Sequence, residues 1–365
     1  MTYLDNAATS FPKPRSVVNG VNDCLKKYCG NPGRSAHYLS QRAAEEIYAV
    51  REKIQKLIDV NEPENIVFTQ NATHGLNLAI KTIVQSNCHV LCSNFEHNAV
   101  IRPLNKLKRE RGIEYSTYSS INDIESLIKE NTCTIISSIS SNVTGRSVQL
   151  KKLSDVAKKK GIKLIIDASQ AIGHTDINIS DTPCDALCAP GHKALFGIQG
   201  SGFVYFKNKQ RNESFIEGGS GFDSKSPDMP ILLPEAYEAG TLSTPAIVSL
   251  GKGIDYINSI GVDEISSYLN HMTEKLYDRL SNIPEIKIYG YGGGILAFNY
   301  KDFSSTMLSS ILNEKGICVR GGLHCAPLAH ESLGTLKQGV VRVSFSYLNK
   351  SHDVDRLYNV LKRIV

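Results

Sequence analysis

An aspartate that closes an apolar run and a lysine in a glycine-rich loop open the chemical reading of this sequence. Leu164-Ile165-Ile166-Asp167-Ala168-Ser169-Gln170 reads as a strand ending in a carboxylate, and ligands of open parallel sheets sit beyond the carboxyl ends of the strands. Further on, Ala189-Pro190-Gly191-His192-Lys193 leads into Phe196-Gly197-Ile198-Gln199-Gly200-Ser201-Gly202 and the strand-like Phe203-Val204-Tyr205-Phe206. A carboxylate able to hold a protonated pyridine nitrogen and a lysine able to form an imine are the two protein groups that pyridoxal phosphate chemistry needs. Asp167 and Lys193 fit those roles. A phosphate cup is offered by Thr69-Gln70-Asn71-Ala72-Thr73-His74-Gly75, a strand-to-helix turn where free backbone N–H groups and the helix dipole favour an anion. Taken singly, each feature also has an ordinary reading: a turn-capping aspartate, a solvated loop lysine, a plain helix N-cap.

Cys325 offers a different chemistry. It stands in Arg320-Gly321-Gly322-Leu323-His324-Cys325-Ala326-Pro327, a loop by its glycines and proline, where a thiol could be exposed and its thiolate favoured by His324 or Arg320. On sequence alone it could equally be a small buried residue. The chain has 9 cysteines, an odd count without an export signal, so a disulfide framework is a poor reading and most of them are expected to be reduced. The other eight read as small core residues. Cys88/Cys92 and Cys184/Cys188 match no Cys-x-x-Cys spacing and have no companion histidine pair, so no metal site is expected.

These groups need elements to position them. Val17, Val18, Val21, Leu25 and Tyr28 predict a helix from Pro14 to Tyr28, stopped at Gly30, and Leu39 to Val60 repeats the pattern. Short apolar runs then alternate with helical ones: Ile66 to Phe68 before Leu76 to Val84, His89 to Leu91 before Ala99 to Lys108, and Thr134 to Ile136 before Leu150 to Lys160. Strands apolar on both faces, separated by crossover helices, predict an α/β fold with a mostly parallel sheet covered on both sides. From about Gly251 the texture shifts to two helices and shorter strands, a smaller α+β unit. The expected division is 15–250 for a large cofactor-binding domain and 251–365, with 1–14, for a small one carrying the Cys325 loop.

Composition narrows the classes further. At 365 residues, with 41% hydrophobic and 21% charged residues, the chain is a folded protein of enzyme size. Its 41 basic against 36 acidic residues give a net charge of +5, with the basic residues scattered instead of lining one face, which argues against nucleic acid as a partner. No apolar run approaches the ~18 residues that span a bilayer, and the N-terminus has no leader character. A cytoplasmic location is expected.

Assembled, these residues resemble the class V aminotransferase family of fold-type I pyridoxal phosphate enzymes, and within it the Suf-type cysteine desulfurases. The resemblance is carried in chain order by Tyr3-Leu4-Asp5-Asn6-Ala7-Ala8-Thr9, Phe68-Thr69 to Gly75, Glu96-His97-Asn98-Ala99 and Ser141-Asn142-Val143-Thr144-Gly145. It continues with Asp167 to Gln170, Gly191-His192-Lys193, Glu238-Ala239-Gly240-Thr241 and Val319 to Ala326. It implies a large domain with a seven-stranded sheet, a covalent bond between Lys193 and the cofactor, an Asp167 pairing with the pyridine nitrogen, and a His97 stacked on the ring. Gln170 and Asn142 would contact the phenolic oxygen or the substrate. Ala72, Thr73 and His192 would hold the phosphate, joined by Thr241 from the other subunit of a homodimer. Arg342 would grip the substrate carboxylate, for which a guanidinium fork is apt, with His37 also at the substrate and Cys325 as the nucleophile that carries a persulfide. Without the surrounding motifs His97 would read as a core or loop histidine, and Arg342 as a strand-edge arginine.

The implied reaction turns L-cysteine into L-alanine and passes sulfur to an acceptor protein. A selenocysteine lyase acting on L-selenocysteine, an aminotransferase and a β-eliminating lyase are the alternatives. Three positions depart from the family pattern: Ala72 and Pro190 stand where hydroxyl residues are frequent, and Leu323 where a histidine is.

Overall fold

The computed structural model describes residues 1–33, 35–208 and 215–364. After β1 (Thr2–Tyr3), the helices α1 (Arg15–Lys27) and α2 (Tyr38–Leu57) lead to β2 (Ile66–Thr69), α3 (Ala72–Ile83), β3 (His89–Ser93) and α4 (Asn98–Arg111). There follow β4 (Glu114–Tyr118), the single turn α5 (Ile124–Leu127), β5 (Thr132–Ser138), α6 (Leu150–Lys160), β6 (Lys163–Asp167), β7 (Ala186–Pro190) and β8 (Gly202–Phe206). Strands β2 to β8 form one seven-stranded sheet in the order β2-β8-β7-β6-β5-β3-β4. Only β8 runs against its neighbours. The fold is therefore α/β with a mostly parallel sheet, whose β2, β3, β7 and β8 are buried along their whole length, as strands covered on both faces must be.

The second half comprises α7 (Thr244–Ile260), α8 (Val262–Ser281), β9 (Ile286–Gly292), β10 (Ile295–Tyr300), α9 (Ser305–Glu314), β11 (Ile317–Cys318), β12 (Arg320–Gly322), α10 (Pro327–Leu333), β13 (Val340–Ser344) and α11 (Ser351–Leu361). Four of these strands make an antiparallel sheet, β12-β13-β10-β9. The first strand of the chain joins this half: β1 pairs in parallel with β11, Thr2 opposite Ile317, and Asp5 bridges to Ser344. Residue 250, the end of the expected large domain, lies inside α7. Both units share one apolar core, in which Leu164 and Leu187 of the large sheet, Leu250 and Ile254 of α7, and Leu296 and Val341 of the small sheet are all buried.

Two contacts bring the halves close enough to share a site. Gly145, at φ +71°, lies against the backbone of Gly292, where any Cβ would collide with the Gly292 carbonyl. Gly253 of α7 lets the carbonyl of Leu195 approach the helix backbone in the same way. Glycine is required at both points by contact distance, and at Gly145 by backbone conformation as well.

The cysteines depart from their expected roles in part. Cys88 and Cys133 are joined as a disulfide, with their Cα atoms 5.9 Å apart. Both sit at the entry of the adjacent parallel strands β3 and β5, where His89 pairs with Thr132, and this places the two side chains within reach. Cys29 is exposed and Cys318 only partly covered, so neither is a core residue, whereas Cys24, Cys92, Cys184 and Cys188 are buried. Arg320 to Gly322, expected in a loop, forms strand β12 by pairing with β13.

Candidate active site

The carboxyl ends of the central strands and the start of the small sheet enclose a cavity of about 190 Å³. Asp167 enters it from the last residue of β6, its carboxylate oriented by the backbone N–H of Ser169 at 2.8 Å. Lys193 enters from the turn after β7, and His97 from the turn between β3 and α4. Arg342 of β13 reaches in from the small sheet. Ala72, Thr73, Asn142, Gln170 and His192 also line this cavity.

Local sequence explains each placement. Asn71 caps α3, its side chain accepting from the N–H of His74 at 2.9 Å, so the first turn of a 12-residue helix, with Ala72 and Thr73, faces the cavity. Such a turn is an anion site. His97 caps α4, its Nδ1 accepting from Ala99 N–H at 3.0 Å. The Gly191-His192-Lys193 turn is held from below: the His192 carbonyl receives the Ser10 N–H at 3.0 Å, the Thr9 hydroxyl at 3.0 Å and the Lys13 ammonium at 3.1 Å. Lys13, Thr9 and Ser10 were given no part by sequence reasoning, although Thr9 closes one of the motifs that carry the family resemblance.

Electrostatics favour neutral nitrogen bases here. Burial, aided by Arg342 and Arg320 and opposed by Asp167, brings the Lys193 ammonium down to about 8. Burial first and Lys193 second push the His97 imidazolium down to about 4, so the ring is neutral at neutral pH. His192 is lowered to about 4 by burial and by Lys193, and its buried Nδ1 has no hydrogen-bond partner among the described residues.

Arg342 is almost wholly buried, with 1% exposure. Its Nη2 donates to Asp5 at 2.8 Å and its Nη1 to the Asn142 carbonyl at 2.8 Å, while its Nε has no partner among the described residues. The buried Nε–H is thus a donor left uncommitted beside the cavity, on a guanidinium of the kind that pairs with carboxylates. Asp5, the counter-ion of this arginine, belongs to a motif in which sequence reasoning assigned no role. Gln170 donates to the Ala7 carbonyl at 3.0 Å, and Asn142 to the His324 carbonyl at 2.8 Å, so in this state both amides brace the protein as well as line the cavity.

Cys325 lies just outside, exposed, in a loop whose residues His324 and Cys325 have φ of +50° and +57°. Two successive side-chain-bearing residues in the left-handed region are uncommon and cluster at functional sites. The loop is pinned by the N–H of Asn98, which donates to the Cys325 carbonyl at 2.7 Å. Arg320 Nη2 stands 3.9 Å from the Cys325 sulfur. His324 cannot supply the positive charge expected of it, because its ring is buried, bonded through Nε2 to the Val340 carbonyl at 3.0 Å, and pushed down to about 2 by burial and by Arg342. Thr241 and His37 are absent from this cavity. Thr241 is exposed on a separate hollow lined also by Asn31, Gly33, Arg51 and Glu238, and His37 is an exposed N-cap of α2.

The donor set fits pyridoxal phosphate: a lowered lysine amine, a carboxylate across the cavity, a neutral imidazole, a free helix turn and a buried histidine nitrogen without a partner. The chain is 33% identical to a probable cysteine desulfurase of Methanothermobacter thermautotrophicus, over 99% of this chain and 94% of that one. It is 30% identical to a cysteine desulfurase of Serratia proteamaculans, over 100% and 93%. A solved cysteine desulfurase of Thermococcus onnurineus superposes with a TM-score of 0.93 at 27% identity, covering 100% of this chain and 94% of that one. The family model described as "Aminotransferase class-V" matches residues 2–357, and the chain belongs to that family.

Proposed function

We propose that the protein is a pyridoxal phosphate-dependent cysteine desulfurase, a homodimer acting in the cytoplasm, which converts L-cysteine to L-alanine and leaves the sulfur on Cys325 for an acceptor protein. One observation carries the reading: a single cavity presents Lys193, Asp167, His97 and Arg342, the last with an uncommitted Nε–H, and an exposed cysteine follows its lining residue His324.

Lys193 would hold the cofactor, Asp167 face its ring nitrogen, His97 cover the ring, and the first turn of α3 with His192 receive the phosphate. When bound, the cofactor supplies an electron sink for negative charge at the substrate Cα. Arg342 would orient the substrate by its carboxylate, and the Lys193 amine would take the Cα proton. The Cys325 thiolate then attacks the substrate sulfur. An S–S bond forms between Cys325 and the substrate sulfur as the C–S bond breaks, the electron pair goes to Cβ, which takes the proton given up by the substrate thiol, and the proton held by Lys193 returns to Cα to give alanine.

The test is product analysis with L-cysteine and L-selenocysteine as separate substrates. Cys325→Ala should retain the cofactor and exchange the Cα proton yet release no alanine from L-cysteine, and the wild type should gain a sulfur adduct on the Cys325 peptide. Unchanged alanine release, or pyruvate as the product, would reject this reading in favour of a lyase. In the wild type, borohydride reduction and peptide mapping should place the pyridoxyl label on Lys193.

A further inference from the structure

Glu96 belongs to the Glu96-His97-Asn98-Ala99 motif, yet the chemistry above gives it no task. It has 0% exposure, and among the described residues it forms no ion pair with a lysine, arginine or histidine. Both of its oxygens go to one residue: Oε1 accepts the Ser138 N–H at 2.7 Å, and Oε2 meets the Ser138 hydroxyl at 2.8 Å. Ser138 ends β5, lies opposite Asp167 in the register with β6, and lines the cavity. Glu96 itself precedes His97. The carboxyl therefore ties the turn presenting His97 to the strand end beside Asp167, the two groups that would meet the cofactor ring at its face and at its nitrogen. A buried carboxyl carries a large desolvation cost, and one with no cation beside it is more economically kept neutral. Burial pushes Glu96 up to about 8 against the pull of the Ser138 N–H, with Asp167 adding to the rise. A neutral acid makes the same pair of bonds to Ser138, donating to the hydroxyl and accepting from the N–H.

We propose that Glu96 is a positioning residue, a strut that fixes the gap between His97 and Asp167 by its length and two hydrogen bonds and not by its charge. The proposal rests on the cofactor reading above.

Two variants oppose length to charge. Glu96→Gln keeps the length and both bonds and has no charge, whereas Glu96→Asp keeps an ionisable carboxyl but is one methylene too short to reach Ser138. Pyridoxal phosphate affinity and the induced circular dichroism of the bound cofactor report the gap in the loaded protein, and hydrogen exchange at the amides of residues 96–99 reports the turn in the apoprotein. A strut predicts near-wild-type affinity and dichroism for Glu96→Gln, together with affinity weakened about 10-fold or more, altered dichroism and faster exchange for Glu96→Asp, the range seen when groups behind a bound centre are removed. The reverse order, equal loss in both variants, or no loss in either would overturn it. A wild type that binds no pyridoxal phosphate would overturn the cofactor reading itself. In that case the apoprotein exchange still separates the two failures, since unchanged exchange in Glu96→Asp removes the strut independently.

Discussion

Lys193 carries the sharpest residue-scale consequence. Burial holds its ammonium near 8, so below that pH most apoprotein molecules present a charged amine that cannot attack an aldehyde. The neutral fraction falls about tenfold for each pH unit below the pKa. The rate at which apoprotein takes up pyridoxal phosphate should therefore climb as pH rises toward about 8 and level off above it. Stopped-flow absorbance can follow this, and a rate that is flat across that range would show that the amine is not the titrating group. Most of the residues that share the cavity were legible because each is a distinctive chemical type at a strand end or helix start. The partnership of Asp5 with Arg342 was not, since the two are 337 residues apart and only the folded chain brings them together. The same holds for His324, whose neighbours in sequence suggested a partner for the thiolate, while its ring is taken by the Val340 carbonyl.

At the scale of elements, two joints hold the site. Glu238 accepts from Arg51 of α2 and from the N–H of Phe68 on β2, and both charged side chains are only 6% exposed. Removing one partner of a buried pair costs about 3–5 kcal/mol because the other charge is stranded. Glu238→Ala should lower the denaturation midpoint accordingly, and it should also release the segment that carries Thr241. Gly145→Ala should cost about 2–4 kcal/mol through left-handed strain and overpacking against Gly292, and by separating the two sheets it should weaken substrate binding through Arg342 and Asn142. Calorimetry of both variants checks the first effect, and substrate KM the second. Helices were legible from their periodicity, and the long apolar strands from their composition. Strand β7, Ala186 to Pro190, was missed because alanine, cysteine and proline have little strand character, and burial between β6 and β8 decides its state. Strand β12 was missed because Arg-Gly-Gly acquires strand geometry only from pairing with β13.

For the whole molecule, Thr241 is the informative position. It lies on a hollow of about 620 Å³ apart from its own chain's cavity, bordered by the exposed Tyr48, with Ile231 and Leu232 exposed nearby in sequence. If this face meets a second copy, the mass in solution should be twice 40.1 kDa. Mixed dimers of Lys193→Ala with Thr241→Ala should regain cofactor-loaded sites, since one site of each mixed dimer has both residues intact. Failure of the mixture to exceed either parent would place Thr241 outside the phosphate site. The pairing of β1 with β11 sets a condition of another kind, on synthesis. Once synthesised, Thr2 and Tyr3 have no partner until Ile317 and Cys318 emerge from the ribosome, and Asp5 must wait longer still for Arg342. At about 5–20 residues per second that interval is about 15–60 s, so the nascent chain can complete its large sheet while β1 hangs unpaired, and the end of the cavity where Asp5 meets Arg342 is the last part of the site to form.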